Sequence, residues 1–181
     1  MISGLITKKT MKKSKNNCGP ILSFVEIAQK QGWKYIPCVV VADDGRRKVN
    51  PEAVHLNNGT YATIVSPDGL VQFALDHTIV YYHNGNVWRG DPTDIRNDLI
   101  IIAAVVVDKN FRRKGYGTKA IKNFLEIANV LNMKVMLEAC PIHQFSLKSK
   151  NITQKKLIQW YKKLGFVSAY PNQGDQILCY P

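Results

Sequence analysis

Arg112, Arg113 and Lys114 stand directly before Gly115, Tyr116 and Gly117. Three cations beside two glycines suit the binding of a phosphate. Glycine lets an anion approach the backbone closely, and the basic side chains supply full charges. A helix beginning at this point adds to the effect, because its first turn has unpaired N–H groups and a positive dipole end. The competing reading is a basic surface turn ahead of an ordinary helix.

The elements on either side decide how these residues are positioned. Leu99–Val107 is a nine-residue apolar run rich in β-branched side chains, which predicts a strand buried on both faces. Residues 108–114 form a short polar loop. After it, Ile121, Phe124, Leu125, Ala128 and Leu131 recur at helical spacing, so one stripe of a helix faces a core. Residues 133–139 read as a second strand. A strand, a basic glycine loop and a helix N-terminus place a phosphate-bearing ligand where the first strand ends. A Walker loop needs Gly-Lys-Ser/Thr at its end and a dinucleotide fingerprint needs three glycines, and the loop has neither.

The hexapeptide fits Arg/Gln-x-x-Gly-x-Gly/Ala. Between that strand and that helix it resembles the pyrophosphate loop of the GNAT acetyltransferase superfamily. Trp160-Tyr161-Lys162-Lys163-Leu164-Gly165-Phe166 resembles the family's second signature, a helix ending in Tyr-x-x-x-Gly-Phe. Both occur in family order, and the resemblance covers roughly residues 78–170. It implies an α/β, single-domain GNAT-like fold: a mixed central sheet flanked by helices, with two strands splayed at the cofactor site. It also implies acetyl-CoA as co-substrate, no metal, and transfer of the acetyl group to a primary amine of a small molecule or protein. By the same resemblance, the backbone of Val105, Val106 and Val107 pairs with the pantetheine arm, and an N–H near Val105 faces the developing oxyanion. Arg112, Arg113, Lys114, Gly115, Tyr116, Gly117 and Thr118 then cradle the pyrophosphate, and a bulky side chain at 117 would fill its place.

Tyr161, four residues before Gly165, matches the family tyrosine that protonates the departing thiolate. A phenol of pKa about 10 protonates a thiolate whose acid has pKa about 8.5 only when closely positioned. Gln154 and Leu157 stand where family members often carry Asn and Ala. Family enzymes often place a basic Glu on the central strand, yet residues 100–107 contain no acid. Glu138 on the next strand is the first candidate for the base, and His143 in the following loop is the second. A chain of waters would need neither.

Length and composition set the frame. The 181 residues suffice for one well-buried domain, and 45% hydrophobic with 21% charged residues suits a globular chain. Residues 1–19 read as a flexible basic arm and residues 20–181 as the acetyltransferase domain. Cys18, Cys38, Cys140 and Cys179 form no Cys-x-x-Cys pair, so neither zinc nor a disulfide framework is expected. No apolar run approaches the roughly 20 residues that span a bilayer, and the N-terminal lysines follow the apolar stretch instead of preceding it. A cytoplasmic, membrane-free protein, monomer or homodimer, is the expectation. The net charge of +12 is uneven: residues 109–163 hold thirteen Lys and Arg against two Glu, a net +11. One cofactor cannot engage so many cations, so an anionic partner such as an acidic protein or tRNA is a further expectation beside a solvated lysine-rich surface. Two other functions remain open: acetylation of aminoacyl-tRNA by a basic toxin-like member, and a non-catalytic acetyl-CoA-binding module.

The remaining segments have local signals. A short strand is expected at residues 2–6 and a helix over 21–31, with Ile21, Val25 and Ala28 aligned, Leu22 beside them, and Gly32 ending it. Residues 33–42 read as one strand with an edge or bulge at Pro37, and residues 46–59 as polar and irregular. Residues 60–66 and 70–76 form a hairpin around Pro67-Asp68-Gly69. Residues 78–83 and 87–90 form a second around Asn84-Gly85. A helix over 153–164 presents Leu157, Trp160, Tyr161 and Leu164 on one stripe. Residues 166–170 and 177–180 close the chain as a hairpin.

Overall fold

A computed structural model describes residues 19–43, 45–56, 59–83, 86–89, 98–141, 152–171 and 176–181. Their elements are α1 (Gly19–Lys30), β1 (Lys34–Ile36), β2 (Val39–Val41), β3 (Arg47–Val49), β4 (Val54–Leu56), β5 (Gly59–Val65), β6 (Val71–His83), β7 (Asn86–Arg89), β8 (Leu99–Val107), α2 (Tyr116–Val130), β9 (Lys134–Glu138), α3 (Gln154–Lys162), β10 (Val167–Ser168) and β11 (Ile177–Tyr180). Among the described residues nine strands form one sheet: seven in the order β1-β5-β6-β8-β9-β11-β10, with β4 on β5 and β7 on β6 as the other two, while β2 and β3 form a separate pair. The β8–β9 ladder is parallel and the others are antiparallel. The mixed sheet with flanking helices is as expected from the sequence.

The central strand, β8, is irregular on both of its sides. On one side β8 pairs with β6 along its length, from Leu75↔Ile102 to Val71↔Val107. The register steps from Ala74↔Ala104 to Leu75↔Ile102, which leaves Ala103 as an extra residue in β8. Such a bulge bends its strand and sharpens the local twist. On the other side the parallel ladder with β9 has only four rungs, Leu99↔Lys134 to Ile102↔Leu137. It stops where the bulge begins. Residues 103–107 therefore have no strand partner on the β9 side among the described residues, and the two strands diverge.

Helices α1 and α2 cover one face of the sheet. Phe124 of α2 lies 4.5 Å from Phe24 of α1 and stacks at 4.8 Å on Phe73 of β6, with Trp33 5.7 Å from Phe73. Each such ring pair contributes about 0.5–1.5 kcal/mol beyond the area it buries. Ile121, Phe124, Leu125 and Ala128 are buried as their spacing required, and Leu131 packs at the edge of the same core. A smaller cluster of Val54, Tyr61, Ala74 and Ala104 packs apart from this core.

Several local expectations need correction. Residues 33–42 are two strands, because Pro37 lacks an N–H and has a fixed φ: β1 joins the main sheet, and β2 pairs with β3 from Val39↔Val49 to Val41↔Arg47. Residues 46–59 are not irregular, since β3 and β4 lie there. Both are too short to show a period of their own, and pairing makes them strands. The two expected hairpins share one long strand, β6, which runs through Asp76. In α1 the buried stripe is Phe24, Val25 and Ala28, and Leu22 is 44% exposed. Once Phe24 faces inward, a residue two positions away lies about 200° round the helix. Gly32 does end the helix region, with φ of 85°. β8 is not buried on both faces throughout: Leu99, Ile100, Ile102 and Ala104 are buried, while Ile101, Ala103 and Val105, Val106 and Val107 are half-buried. The helix over 153–164 is shorter at both ends, with Thr153 as its cap. The N-terminal arm, residues 2–6, Cys18, Asn84-Gly85 and His143 lie outside the described residues.

Candidate functional site

The sequence dictates a tight path from β8 into α2. Asp108 opens a single 3-10 turn over Lys109–Phe111 by accepting from the Asn110 N–H through its side chain at 2.9 Å. Arg112 then folds back, and its Nε donates to the Val107 carbonyl at 3.0 Å. This contact ties the loop to the strand end, and no sequence pattern announced it. Arg113 has φ of 61° and Gly115 φ of 86°. Left-handed residues of this kind build the backbone concavities that take anions. Lys114 lies with its Nζ 5.5 Å above the Phe111 ring, which in turn meets Tyr116 edge-on at 5.4 Å.

Gly115 is the N-cap of α2 and has no side chain to cap it. The Lys119 N–H donates to the Gly115 carbonyl. The amides of Tyr116, Gly117 and Thr118 precede that bond and are the unpaired donors of the first turn. These are the amides that the sequence assigned to a phosphate, and they lie beside the end of β8: a Cβ on Gly117 would stand 3.3 Å from Val107 Cγ2. The same point is 3.5 Å from Trp160 Cζ2 and Cη2. A Cβ at 117 would therefore crowd Val107 and touch Trp160, and a longer side chain would have to displace them. Trp160 Nε1 also donates to Thr118 Oγ1 at 3.0 Å. The sequence places Trp160 on the stripe of its helix and in the second signature, and neither pattern shows that it reaches this loop.

Tyr161 is 5% exposed. Its ring lies 4.8 Å from the Trp160 ring and 5.5 Å from Phe166. Its hydroxyl makes no hydrogen bond to a described residue, and no buried side-chain polar atom among the described residues lacks a partner. Burial raises the phenol above its ordinary pKa of 10.0, so it stays protonated at neutral pH. Thr153 caps α3 by accepting from the Lys156 N–H at 3.4 Å, and Gly165, with φ of 96°, lets the chain turn from α3 into β10.

Glu138 is exposed at the end of β9, while Val135 and Leu137 are buried, so alternation holds. It lies one residue past Leu137, the last rung with β8, at the point where the strands part. No cluster of His, Cys, Asp or Glu among the described residues could hold a metal ion. Among them, too, no helix is long and apolar enough to cross a membrane.

Comparison with known proteins follows the same outline. Searching the curated proteins finds no match. Solved structures similar to this chain include the anti-CRISPR protein AcrVA5, at 16% identity over 71% of this chain and 95% of that one, with a TM-score of 0.40. A GCN5-related N-acetyltransferase from Kribbella flavida matches at 11% identity over 84% and 99%, with a TM-score of 0.39. A mutant AtaT toxin bound to the C-terminus of the antitoxin AtaR and acetyl-CoA matches at 11% identity over 67% of each chain, with a TM-score of 0.39. Residues 74–168, more than half of the chain and including the diverging strands, the loop and Tyr161, match the family model for the acetyltransferase (GNAT) domain, and the chain belongs to that family.

Proposed function

We propose that the protein transfers an acetyl group from acetyl-CoA to a primary amine. The observation that carries this reading is the divergence of β8 from β9 after four rungs. It leaves the backbone of Val105, Val106 and Val107 open to an amide-bearing arm, next to the unpaired first-turn amides of α2. A ligand with a pyrophosphate at one end and two amides in its arm fits that sequence of donors and acceptors. Arg113, Lys114 and the amides of Gly115, Tyr116, Gly117 and Thr118 hold the phosphates, and Arg112 holds the loop on the strand.

Acetyl-CoA supplies a thioester carbon open to attack by a neutral amine, with a thiolate as leaving group. The chain's part is to position, to stabilise charge and to move two protons. A β8 N–H near Val105 faces the carbonyl oxygen as charge develops on it. Tyr161 gives its proton to the thiolate as the C–S bond breaks, and the proton that the attacking nitrogen sheds on becoming an amide restores the phenol directly or through water. Glu138, exposed at the split, takes the proton from the incoming ammonium directly or through water. The +11 charge of residues 109–163 supports an acceptor amine carried on an anionic body, an acidic protein or tRNA.

Thiol release from acetyl-CoA, measured against a panel of amines that includes an acidic peptide, a charged tRNA and spermidine, tests the reading. Turnover with an anionic carrier that weakens steeply with salt is expected. Tight acetyl-CoA binding without turnover of any amine would leave a binding module instead.

A further inference from the structure

Residues 139–174 contain six Lys and no Asp or Glu. Within that segment α3 gathers its cations on one side. At about 100° per residue, Lys155, Lys156, Gln159, Lys162 and Lys163 fall within an arc of about 120°, and all five are exposed. The other side of the helix holds Tyr161, with Leu157, Ile158 and Leu164, against the core. Lys155, Lys156 and Lys163 form no ion pair with a described residue. Lys155 and Lys156 also stand in the first turn, which has no acidic residue. A carboxylate there would stabilise the helix, and a lysine opposes its dipole. Neither packing nor helix stability accounts for this charge. Trp160 borders the arc, with Lys156 and Lys163 one turn to either side of it. Its Nε1 bond to Thr118 Oγ1 at 3.0 Å sets the lysine row beside the first turn of α2. Lys119 is exposed there, as are Arg113 and Lys114 in the loop.

We infer that this face of α3 is a docking surface for the phosphate backbone of a nucleic acid, held there so that an amine it carries can reach the thioester. The part played in acetylation rests on the acetyl-transfer reading above, and the docking itself does not. Chemistry selects the occupant. Lysines are mobile point charges that neutralise phosphates without reading bases. The row runs about 12 Å along the helix, the axial length of about three phosphates on one strand. A protein partner would call for different residues, because interface cores are poor in Lys and rely on aromatic or Arg anchors. The arc contains none. A helix lying on a membrane would need its apolar side free, and in α3 that side is packed on the core.

Bulk deacylated tRNA is the probe, measured by fluorescence anisotropy on the full chain across a salt series. Its affinity should fall steeply as salt rises. Lys155→Gln, Lys156→Gln and Lys163→Gln combined should flatten the plot of log K against log salt by a slope of about 2–3. The three corresponding Lys→Arg substitutions keep the charge and should bind like wild type, and thermal melts of both variants should match it. Poly-Glu should displace the tRNA far less well than unlabelled tRNA does. A wild-type slope in the triple Gln variant would overturn the inference. Equal displacement by poly-Glu would assign the surface to acidic proteins and overturn it as well. Lysine-dependent tRNA binding in a protein that acetylates no amine would instead overturn the acetyl-transfer reading and leave the docking surface standing.

Discussion

Replacing Tyr161 by Phe separates chemistry from folding with unusual clarity. The phenol ring is enclosed by Trp160 and Phe166, contacts that Phe retains. The hydroxyl has no hydrogen-bond partner among the described residues, so its removal breaks no bond to any of them. Stability should shift by less than about 0.5 kcal/mol, which for a chain of this size is a melting temperature within about 2 °C of wild type. The reaction is another matter. If the hydroxyl protonates the departing thiolate, kcat should fall by about 10²-fold or more, a barrier increase of about 2.7 kcal/mol, with the KM for acetyl-CoA little changed. The raised phenol pKa adds a second signature: wild-type activity should show no loss from Tyr161 ionisation up to pH 10. The assay is steady-state thiol release beside a thermal melt. A variant that melts like wild type and turns over like wild type would refute the proton-donor role and leave Tyr161 as packing.

Two other perturbations test the frame around it. Gly117→Leu should lower stability by about 1–3 kcal/mol and abolish CoA binding, because the new side chain meets Val107 and Trp160; wild-type stability in a denaturant titration would show that Trp160 does not sit where described. Ser66→Ala should cost about 2 kcal/mol, since the Ser66 hydroxyl accepts from the buried Val71 N–H at 3.0 Å and contacts Asp68 Oδ1 at 2.6 Å. The same contact, first among the causes, lowers the Asp68 pKa below 3.8, so Asp68 contributes stability above pH 3.8 that is lost as pH falls through its lower folded value. Acid unfolding curves of Ser66→Ala and wild type should converge below that window, and parallel curves would mean that Ser66 does not tune Asp68.

The parts legible in the sequence are those where local pattern and tertiary role coincide. Residues 99–131 are one example: a nine-residue β-branched run can only be an inner strand, and Ile121, Phe124, Leu125 and Ala128 can share a face only on a helix. The 66–71 turn was equally plain, because Pro67-Asp68-Gly69 suits one geometry. What stayed hidden is set by partners distant in the chain. Ala103 is an unremarkable alanine in an apolar run, and it becomes a bulge only through the register of β6. That Arg112 also reaches back to the Val107 carbonyl depends on how the loop folds, which its place among three cations does not display. β3 and β4 have three residues each, below the length at which a period of two can be read. Leu22 and Phe24 are both apolar, and only the ring of Phe124 decides between them.

The early end of the β8–β9 ladder has a consequence for how this chain keeps its own company. A bare strand edge is a template for other chains, and proteins normally shorten, charge or cover theirs. Here, among the described residues, the bare edge lies within the sheet, at residues 103–107, between an intact ladder on one side and the diverging β9 on the other. An edge enclosed within one sheet is less open to a second chain than an outermost strand is, so the divergence exposes backbone groups without adding a new outer edge.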